Sequence, residues 1–520
     1  MFIAPGAGQV IALTSSSSNT LHVIVFANPD PQALNAVMKT MKDLGASDVK
    51  KLQLINAASG IVSSSAYQAL KGMREVASMS EDHLRHLDPG PMGKGDGVPP
   101  AGKADSIDPW VEPEAWNVTH ADWGQSLGFS GQGIKVGFVD SGVDYKHPDL
   151  APAIAAYVDT TGAGLKDEDG HGTGTASMVG AQGYYVYNSI IGQYMKVKGM
   201  APDAKIYAAK VFDKFVGWDS NIIAGIEWAV ANDVDVLSCS VGTFELISNG
   251  LDPISLAMEK AVESGVTVFV SAANEGPGQG TVNSPATAMG VVSVGASTFF
   301  REFSQEGFLM PVGGEWRTGQ VIEWSSRPPT ADGRMNPDIM SPGAFGWALA
   351  PTYYLSSSGS KGVQEFGGTS QASPVAAGCT ALLMSAYKAK LGPDLPAPAY
   401  WEQLIRSTAT NLGYPGYDQT SGLINVSAAL NEMLARKPAF LLNENEWSVQ
   451  VVAAGHVDAG GQCCDLGTDY LEFDPGTHQW FLGGTKGKRG REMQGFVDLS
   501  KLPLDAPAIV PPGFDQGKPA

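Results

Sequence analysis

Ser370 lies in the stretch Glu365–Cys379 (EFGGTSQASPVAAGC), whose residue types suit a nucleophile. Gly367 and Gly368 let the backbone turn sharply and approach a ligand closely, Thr369 is placed to cap, and Pro374 fits a helix near its start. The run Val375–Ala389 then reads as a buried helix. Its positive end would face the serine hydroxyl and favour an oxyanion there. Three other glycine-flanked turns hold matching groups: Asp140 opens DSGVDYKHPDL, His171 stands in DEDGHGTGTAS, and Asn274 follows VFVSAA. Taken singly, each is as readily a cap, a turn residue or a structural side chain. Together they supply what acyl transfer needs: a hydroxyl, a base, a carboxylate to hold the base, and an amide donor for the oxyanion.

The elements that must carry these groups are legible in the hydrophobic pattern. From Trp110 onward strands alternate with helices: strands at Ile134–Val139, Lys205–Val211, Val234–Ser238, Val266–Ser271 and Val291–Val294, helices at Asn221–Ala231, Ile254–Ser264 and Val375–Ala389. That alternation predicts an α/β fold with a parallel sheet covered by helices on both faces. Ligands in such folds collect at the carboxyl ends of strands, where Asp140 and Asn274 fall. Helices at Leu404–Thr408 and Ser427–Ala435 close the domain. Upstream, a strand (Leu21–Ala27), a helix (Gln32–Leu44), strands (Val49–Ile55, Ala58–Ser63), a helix (Ser65–Met73) and a strand (Glu75–Asp82) make a small βαββαβ unit. A unit of roughly seventy residues has a marginal core and gains from docking on something larger. Pro89–Pro109 reads as a Pro/Gly linker, and the tail from Lys437 as β-structured and peripheral.

With 520 residues, 43% of them hydrophobic, the chain can bury a core for two or three domains. Its formal charge of -19 argues against nucleic acid or an anionic membrane as partner. No apolar run reaches a membrane span, and the head Met1–Thr20, broken by Pro5 and Gly6, makes a poor secretory signal. Four cysteines make no disulfide framework; Cys239 and Cys379 read as buried thiols.

The boxes VDSGVDYKHPDL, DGHGTGTAS, SAANEGP and GGTSQASP, in that order, resemble those of the subtilisin-like serine proteases, and the similarity runs from about Trp110 to Leu434. The resemblance implies that Asp140 orients the imidazole, His171 is the general base and acid, and Ser370 attacks the peptide carbonyl. The Asn274 amide and the Ser370 N–H would bind the oxyanion. Ser240, Val241 and Gly242, and Ser271, Ala272 and Ala273, match the two segments that line the family's primary specificity pocket, and Gly217 matches an edge strand that pairs with substrate. Several residues depart from the family pattern. Ala273 stands where glycine is common, Gly174-Thr175 replaces His-Val, and Gln371 replaces an oxidation-prone methionine. Asp149 is a candidate calcium ligand, although the insertion Gly183–Val197 displaces the loop that completes that site in relatives. Asp167–Asp169 read as an exposed acidic turn.

The implied organisation is an unassigned head (1–19), a propeptide-like inhibitor and chaperone domain (20–88), a linker (89–109), the catalytic domain (110–436) and an extension (437–520). The function this implies is a serine endopeptidase made as an autoinhibited precursor, exported, needing no cofactor for its chemistry, with proteins, peptides and its own N-terminal domain as partners. An exopeptidase on the same scaffold, with the insertion Phe299–Arg317 walling the cleft, or a catalytically silent peptide-binding protein, are the alternatives.

Overall fold

The computed structural model describes residues 20–87, 98–103, 110–112, 115–188, 194–242, 248–299, 319–344, 346–353 and 362–435, with four strands between 447 and 496. Alternation in β1 (Thr20–Ala27) sends Val23 and Val25 to one side and Ile24 to the other. On the Val23 side, α1 (Ala33–Asp43) buries Ala33, Leu34, Val37 and Met41 from a single face. With β2 (Ser47–Leu52), β3 (Ala57–Ser63), α2 (Ser64–Lys71) and β4 (Val76–Glu81), this forms an antiparallel sheet in the order β2-β3-β1-β4 under two helices. Ile24, Leu52, Ile55 and Ala57 face away from that core and pack with Ile222, Ile223, Ile226 and Met258 of the main domain. The small unit therefore completes its burial on its neighbour. A further strand, β5 (Leu84–His86), leaves the unit altogether.

Within the stretch read as linker, β6 (Val98–Lys103) forms a strand, and β7 (Trp110–Glu112) follows at the start of the next domain. Pro99 and Pro100 fall at the register shift of β6 against β10 (Tyr185–Asn188), between the pairs Asn188↔Val98 and Val186↔Gly102, where no ladder partner is lost. Two short helices follow, α3 (Ala115–Val118) and α4 (Ala121–Ser126), and then the main sheet begins with β8 (Lys135–Asp140) and β9 (Ile154–Asp159). After α5 (His171–Gly180), the insertion forms β10 (Tyr185–Asn188) and β11 (Tyr194–Val197), which join β6 and β7 in a separate sheet of order β6-β10-β11-β7.

The chain continues through β12 (Lys205–Lys210), β13 (Val216–Trp218), α6 (Asp219–Ala231), β14 (Val236–Cys239), α7 (Pro253–Glu263), β15 (Thr267–Ser271), β16 (Val292–Thr298) and β17 (Ile339–Ala344). The main sheet has seven parallel strands in the order β17-β16-β15-β14-β8-β12-β9. β14, β15 and β16 are buried along their whole length, as strands covered on both faces must be, and the residues there that are not apolar are small Ser, Thr and Gly. The chain steps from one side of β8 to the other between β12 and β14, so the carboxyl end of β8 is a switch point of the topology. Asp140 is the last residue of β8.

An antiparallel pair, β18 (Gly346–Leu349) and β19 (Val363–Phe366), leads into α8 (Thr369–Lys390). Every residue of α8 from Thr369 to Tyr387 is buried, so small side chains on all faces replace the usual one-sided stripe. Helices α9 (Pro398–Ser407), α10 (Gly416–Gln419) and α11 (Val426–Ala435) complete the domain, and β20 (Trp447–Gln450), β21 (Tyr470–Asp474), β22 (Gln479–Gly483) and β23 (Met493–Phe496) form an antiparallel meander. Cys239 and Cys379 are buried free thiols. Apart from Phe299, the insertion considered as a cleft wall lies outside the described residues, as do Asp88 and Pro89.

Candidate active site

Asp140 ends a buried strand and is 2% exposed. Its Oδ1 accepts from the Ser141 backbone N–H at 2.7 Å and from His171 Nδ1 at 2.8 Å. An imidazole that donates from Nδ1 to a carboxylate presents a lone pair at Nε2. His171 is the first residue of α5, directly after Gly170, whose φ of 94° only glycine adopts readily. Gly172 is equally constrained, because a Cβ there would lie 2.0 Å from the Gly142 carbonyl oxygen. The edge of Phe366 on β19 packs against the imidazole, with ring centroids 5.5 Å apart.

Ser370 sits in the first turn of α8 and is 3% exposed. The helix begins at Thr369, six residues before the expected start, so Pro374 lies inside it. Lacking an N–H, Pro374 cannot bond the carbonyl four residues back, which belongs to Ser370. Ser240 Oγ donates to that carbonyl at 3.0 Å instead. A residue expected to line the substrate pocket is thus also tied to the backbone of the serine. His171 Nε2 is buried, and no hydrogen bond joins it to Ser370. The structure brings Asp140 and His171 into contact and leaves the last contact of the expected set unmade.

Thr369 does not cap the helix. Its N–H and Oγ1 donate to Asn274 Oδ1 at 2.9 and 3.0 Å. Since two donors face that edge of the Asn274 amide, Nδ2 takes the other edge, the orientation an oxyanion donor needs. Ser271 ends β15, and Ala272 and Ala273 follow it, all three buried. A Cβ on Gly242 would lie 4.0 Å from that of Ala273, so the two segments assigned to the pocket face each other. Ala273 has a φ of 84°, a region that costs an alanine roughly 1 kcal/mol and a glycine almost nothing. Ala273→Gly is therefore expected to stabilise the fold by about 1 kcal/mol, read as a raised denaturant midpoint in a Ser370→Ala background; a lowered midpoint would contradict the strain argument.

Three residues near the imidazole do more than the sequence disclosed. Thr175, one of the departures from the family pattern, donates to Asp140 Oδ2 at 3.1 Å. The acidic turn is not exposed at its two aspartates: Asp167 is 0% and Asp169 2% exposed. Asp167 accepts from Ser141 Oγ and Gly170 N at 2.8 Å each and from Thr173 N and Oγ1 at 2.8 and 2.6 Å, which anchors the loop entering His171. Four converging donors make the burial of that charge tolerable. Asp169 Oδ1 accepts from the His171 N–H at 3.0 Å, while its Oδ2 is buried without a partner. Burial lowers the imidazole's affinity for a proton, but Asp140, seconded by Asp169 and Asp167, more than offsets this, and the His171 pKa is pushed up to about 9.

Gln371 is wholly buried, with Nε2 3.8 Å from the sulfur of Met178, which is itself fully buried. With no thioether beside the serine, activity is expected to survive dilute hydrogen peroxide in a timed exposure. Rapid loss without cysteine modification would count against this.

Asp149 does not fit a calcium site. Its buried carboxylate accepts from Tyr184 N at 2.7 Å, from Tyr185 N at 3.2 Å and from the Tyr187 hydroxyl Oη at 2.8 Å. These are donors, whereas a cation requires a shell of oxygen acceptors. The insertion strand β10 thus satisfies the charge that a metal would have balanced. Among the described residues no cluster of three or more metal-ligating side chains occurs.

Gly217 lies in β13, which pairs antiparallel with β5 so that Val216, Gly217 and Trp218 oppose His86, Arg85 and Leu84. The pairing is reinforced from both ends: Leu87 N–H donates to Phe215 O at 2.7 Å, Asp219 N–H to His83 O at 3.0 Å, and Ser220 N–H to Asp82 Oδ1 at 2.9 Å. The last two satisfy N–H groups of the first turn of α6, which have no acceptor within the helix. The ring of His22 stacks on Trp218 with centroids 3.9 Å apart.

A parallel α/β sheet with a buried Asp–His pair at a strand end and a serine in the first turn of the central helix defines a serine hydrolase. Residues 131–423 match the subtilase family model. The chain is 30% identical to subtilisin NAT of Bacillus subtilis subsp. natto over 423 residues, covering 80% of this chain and 92% of that protein. It is 29% identical to subtilisin J of Geobacillus stearothermophilus over 426 residues, covering 81% and 93%. Serine protease AprX of Bacillus subtilis is 33% identical over 303 residues, covering 55% of this chain and 63% of that protein. This chain belongs to the subtilase family; it is a serine protease that acts on protein substrates and needs no cofactor for its chemistry. No described helix is long and apolar enough to cross a membrane.

Proposed function

We propose that this chain is the autoinhibited precursor of an exported serine endopeptidase, with Asp140, His171 and Ser370 as its triad. The buried 2.8 Å contact between Asp140 and His171 beside the head of α8 carries the reading. Asp140 holds the proton on Nδ1, so Nε2 accepts the Ser370 proton as the hydroxyl attacks the peptide carbonyl. His171 then returns the proton to the departing amine, and water repeats the cycle to release the acyl group. The Asn274 amide and the Ser370 N–H stabilise the oxyanion, helped by the dipole of α8.

Residues 20–88 act as the inhibitory domain, 89–109 as the processing linker, 110–436 as the enzyme and 437–520 as an extension. Support for latency comes from β5, which occupies the edge of β13 that an extended substrate would use. Ser240–Gly242 and Ser271–Ala273 line the pocket for the residue at the cut. The test is incubation of the purified chain alone, N-terminal sequencing of the product, and only then addition of a phosphonylating reagent to the incubated protein. The expected results are label on Ser370 and a cut between His86 and Trp110; label with no cut would remove the precursor reading, and no label the triad.

The base must be neutral to work, so activity is present above the pKa of His171 and lost as pH falls through it. Removing the negative charge of Asp169 withdraws support from the imidazolium and lowers that pKa. Asp169→Asn is expected to move the acid limb of kcat/KM to lower pH by up to about one unit. An unmoved or raised limb in a pH profile of the processed enzyme would show that Asp169 does not act on His171.

A further inference from the structure

Arg85 is the residue of β5 opposite Gly217, and its guanidinium meets the Asp219 carboxylate at two points, Nε to Oδ1 at 2.5 Å and Nη2 to Oδ2 at 3.0 Å. The Asp219 side chain is 0% exposed and that of Arg85 11%. Burial pushes Asp219 up to about 6 even with this partner in place. Asp219 is the first residue of α6 and belongs to the enzyme, whereas Arg85 belongs to the segment that departs on processing. The other charged groups that act on Asp219, Asp82 and His83, depart with it. What remains is a carboxylate set into the groove and left without its cation.

We infer that Asp219 makes the groove select a basic residue, arginine before lysine, at the substrate position that pairs with Gly217. The inference rests on the reading above that β5 lies where an extended substrate lies. A planar guanidinium can repeat the two-point contact that Arg85 makes, while an ammonium can make only one. Leaving a buried carboxylate unpaired is costly, so a neutral residue there forfeits much of what arginine gains. Side chains alternate along a strand, so the neighbours of that residue point away from Asp219. Selection is therefore confined to a single position and does not extend to basic runs.

The test uses the processed enzyme and a peptide pool carrying Arg, Lys, Leu or Glu at each position upstream of the cut, with products read by mass spectrometry. Arginine should be enriched over leucine by about 10- to 100-fold at one fixed distance upstream, with lysine between them and glutamate last. Asp219→Asn should collapse the Arg-to-Leu ratio at that position toward unity. A flat wild-type profile from an enzyme that does cut overturns the inference and leaves the protease reading intact; this arm needs no variant, so misfolding of Asp219→Asn cannot shield it. An arginine preference that persists in Asp219→Asn overturns the role of that residue. Failure of the processed enzyme to cut any peptide, matching Ser370→Ala, overturns the inference and the reading beneath it together.

Discussion

Replacing Ser370 by alanine is expected to lower kcat for peptide hydrolysis on the order of 10⁶-fold, the scale set by the same change in a subtilisin. The substitution removes only an oxygen from the first turn of a helix whose contacts lie elsewhere, so the fold persists and the loss is chemical. The variant chain should also remain uncut on incubation, since the same hydroxyl is proposed to release the N-terminal unit. Casein digestion by wild type and variant, with mass spectrometry of both substrate and enzyme, reads the two effects at once. A variant that retains more than about one part in a hundred of the activity would remove Ser370 from the chemistry.

Asp140→Asn carries the next largest expected effect, a fall in kcat/KM of roughly 10³-fold with the acid limb moved to lower pH. Elsewhere an asparagine at this place costs about 10⁴-fold because it forces the wrong imidazole tautomer. The surroundings of Asp140 argue for a smaller loss. Oδ1 faces two donors, the Ser141 N–H and His171 Nδ1, so an asparagine would keep its oxygen there and turn its NH₂ toward Thr175 Oγ1. A hydroxyl can accept as well as donate, so the tautomer is kept and only the negative charge is lost. Without that charge the imidazolium is less stable, which lowers its pKa and weakens the base. A loss below tenfold, or an acid limb that stays in place, would sink this account; a loss beyond 10⁴ would mean that Thr175 does not take up the amide.

Much of this was legible because the periodicities are strong. Five of the seven strands of the main sheet and the whole βαββαβ unit fall within a few residues of where the apolar pattern puts them, while the half-exposed edge strand β9 and β17, interrupted by Pro342 and Gly343, carry too weak a pattern to be read; the four boxes bring their own turn chemistry. The errors share one cause, that a donor from a distant segment does not show in local sequence. Pro374 suits the start of a helix, yet α8 begins at Thr369, and Ser240, just after β14, takes the carbonyl that the proline leaves without a donor. Asp167 looked like a solvated acid until the loop closed four donors around it. Asp149 looked like a metal ligand, and the hairpin that displaced the metal loop supplies N–H and hydroxyl groups in its stead. Thr175 and Thr369 were read for packing and capping, and both proved to orient a neighbouring polar group.

The burial of α8 on every side has a bearing on how this enzyme wears out. The proposed nucleophile rides on a helix that is buried from Thr369 to Tyr387, so it cannot drift out of position while the rest stays native. Heat inactivation and loss of tertiary structure should then superpose on one curve, and an enzyme warmed to just below that curve should keep its full turnover for as long as it escapes digestion by its own copies.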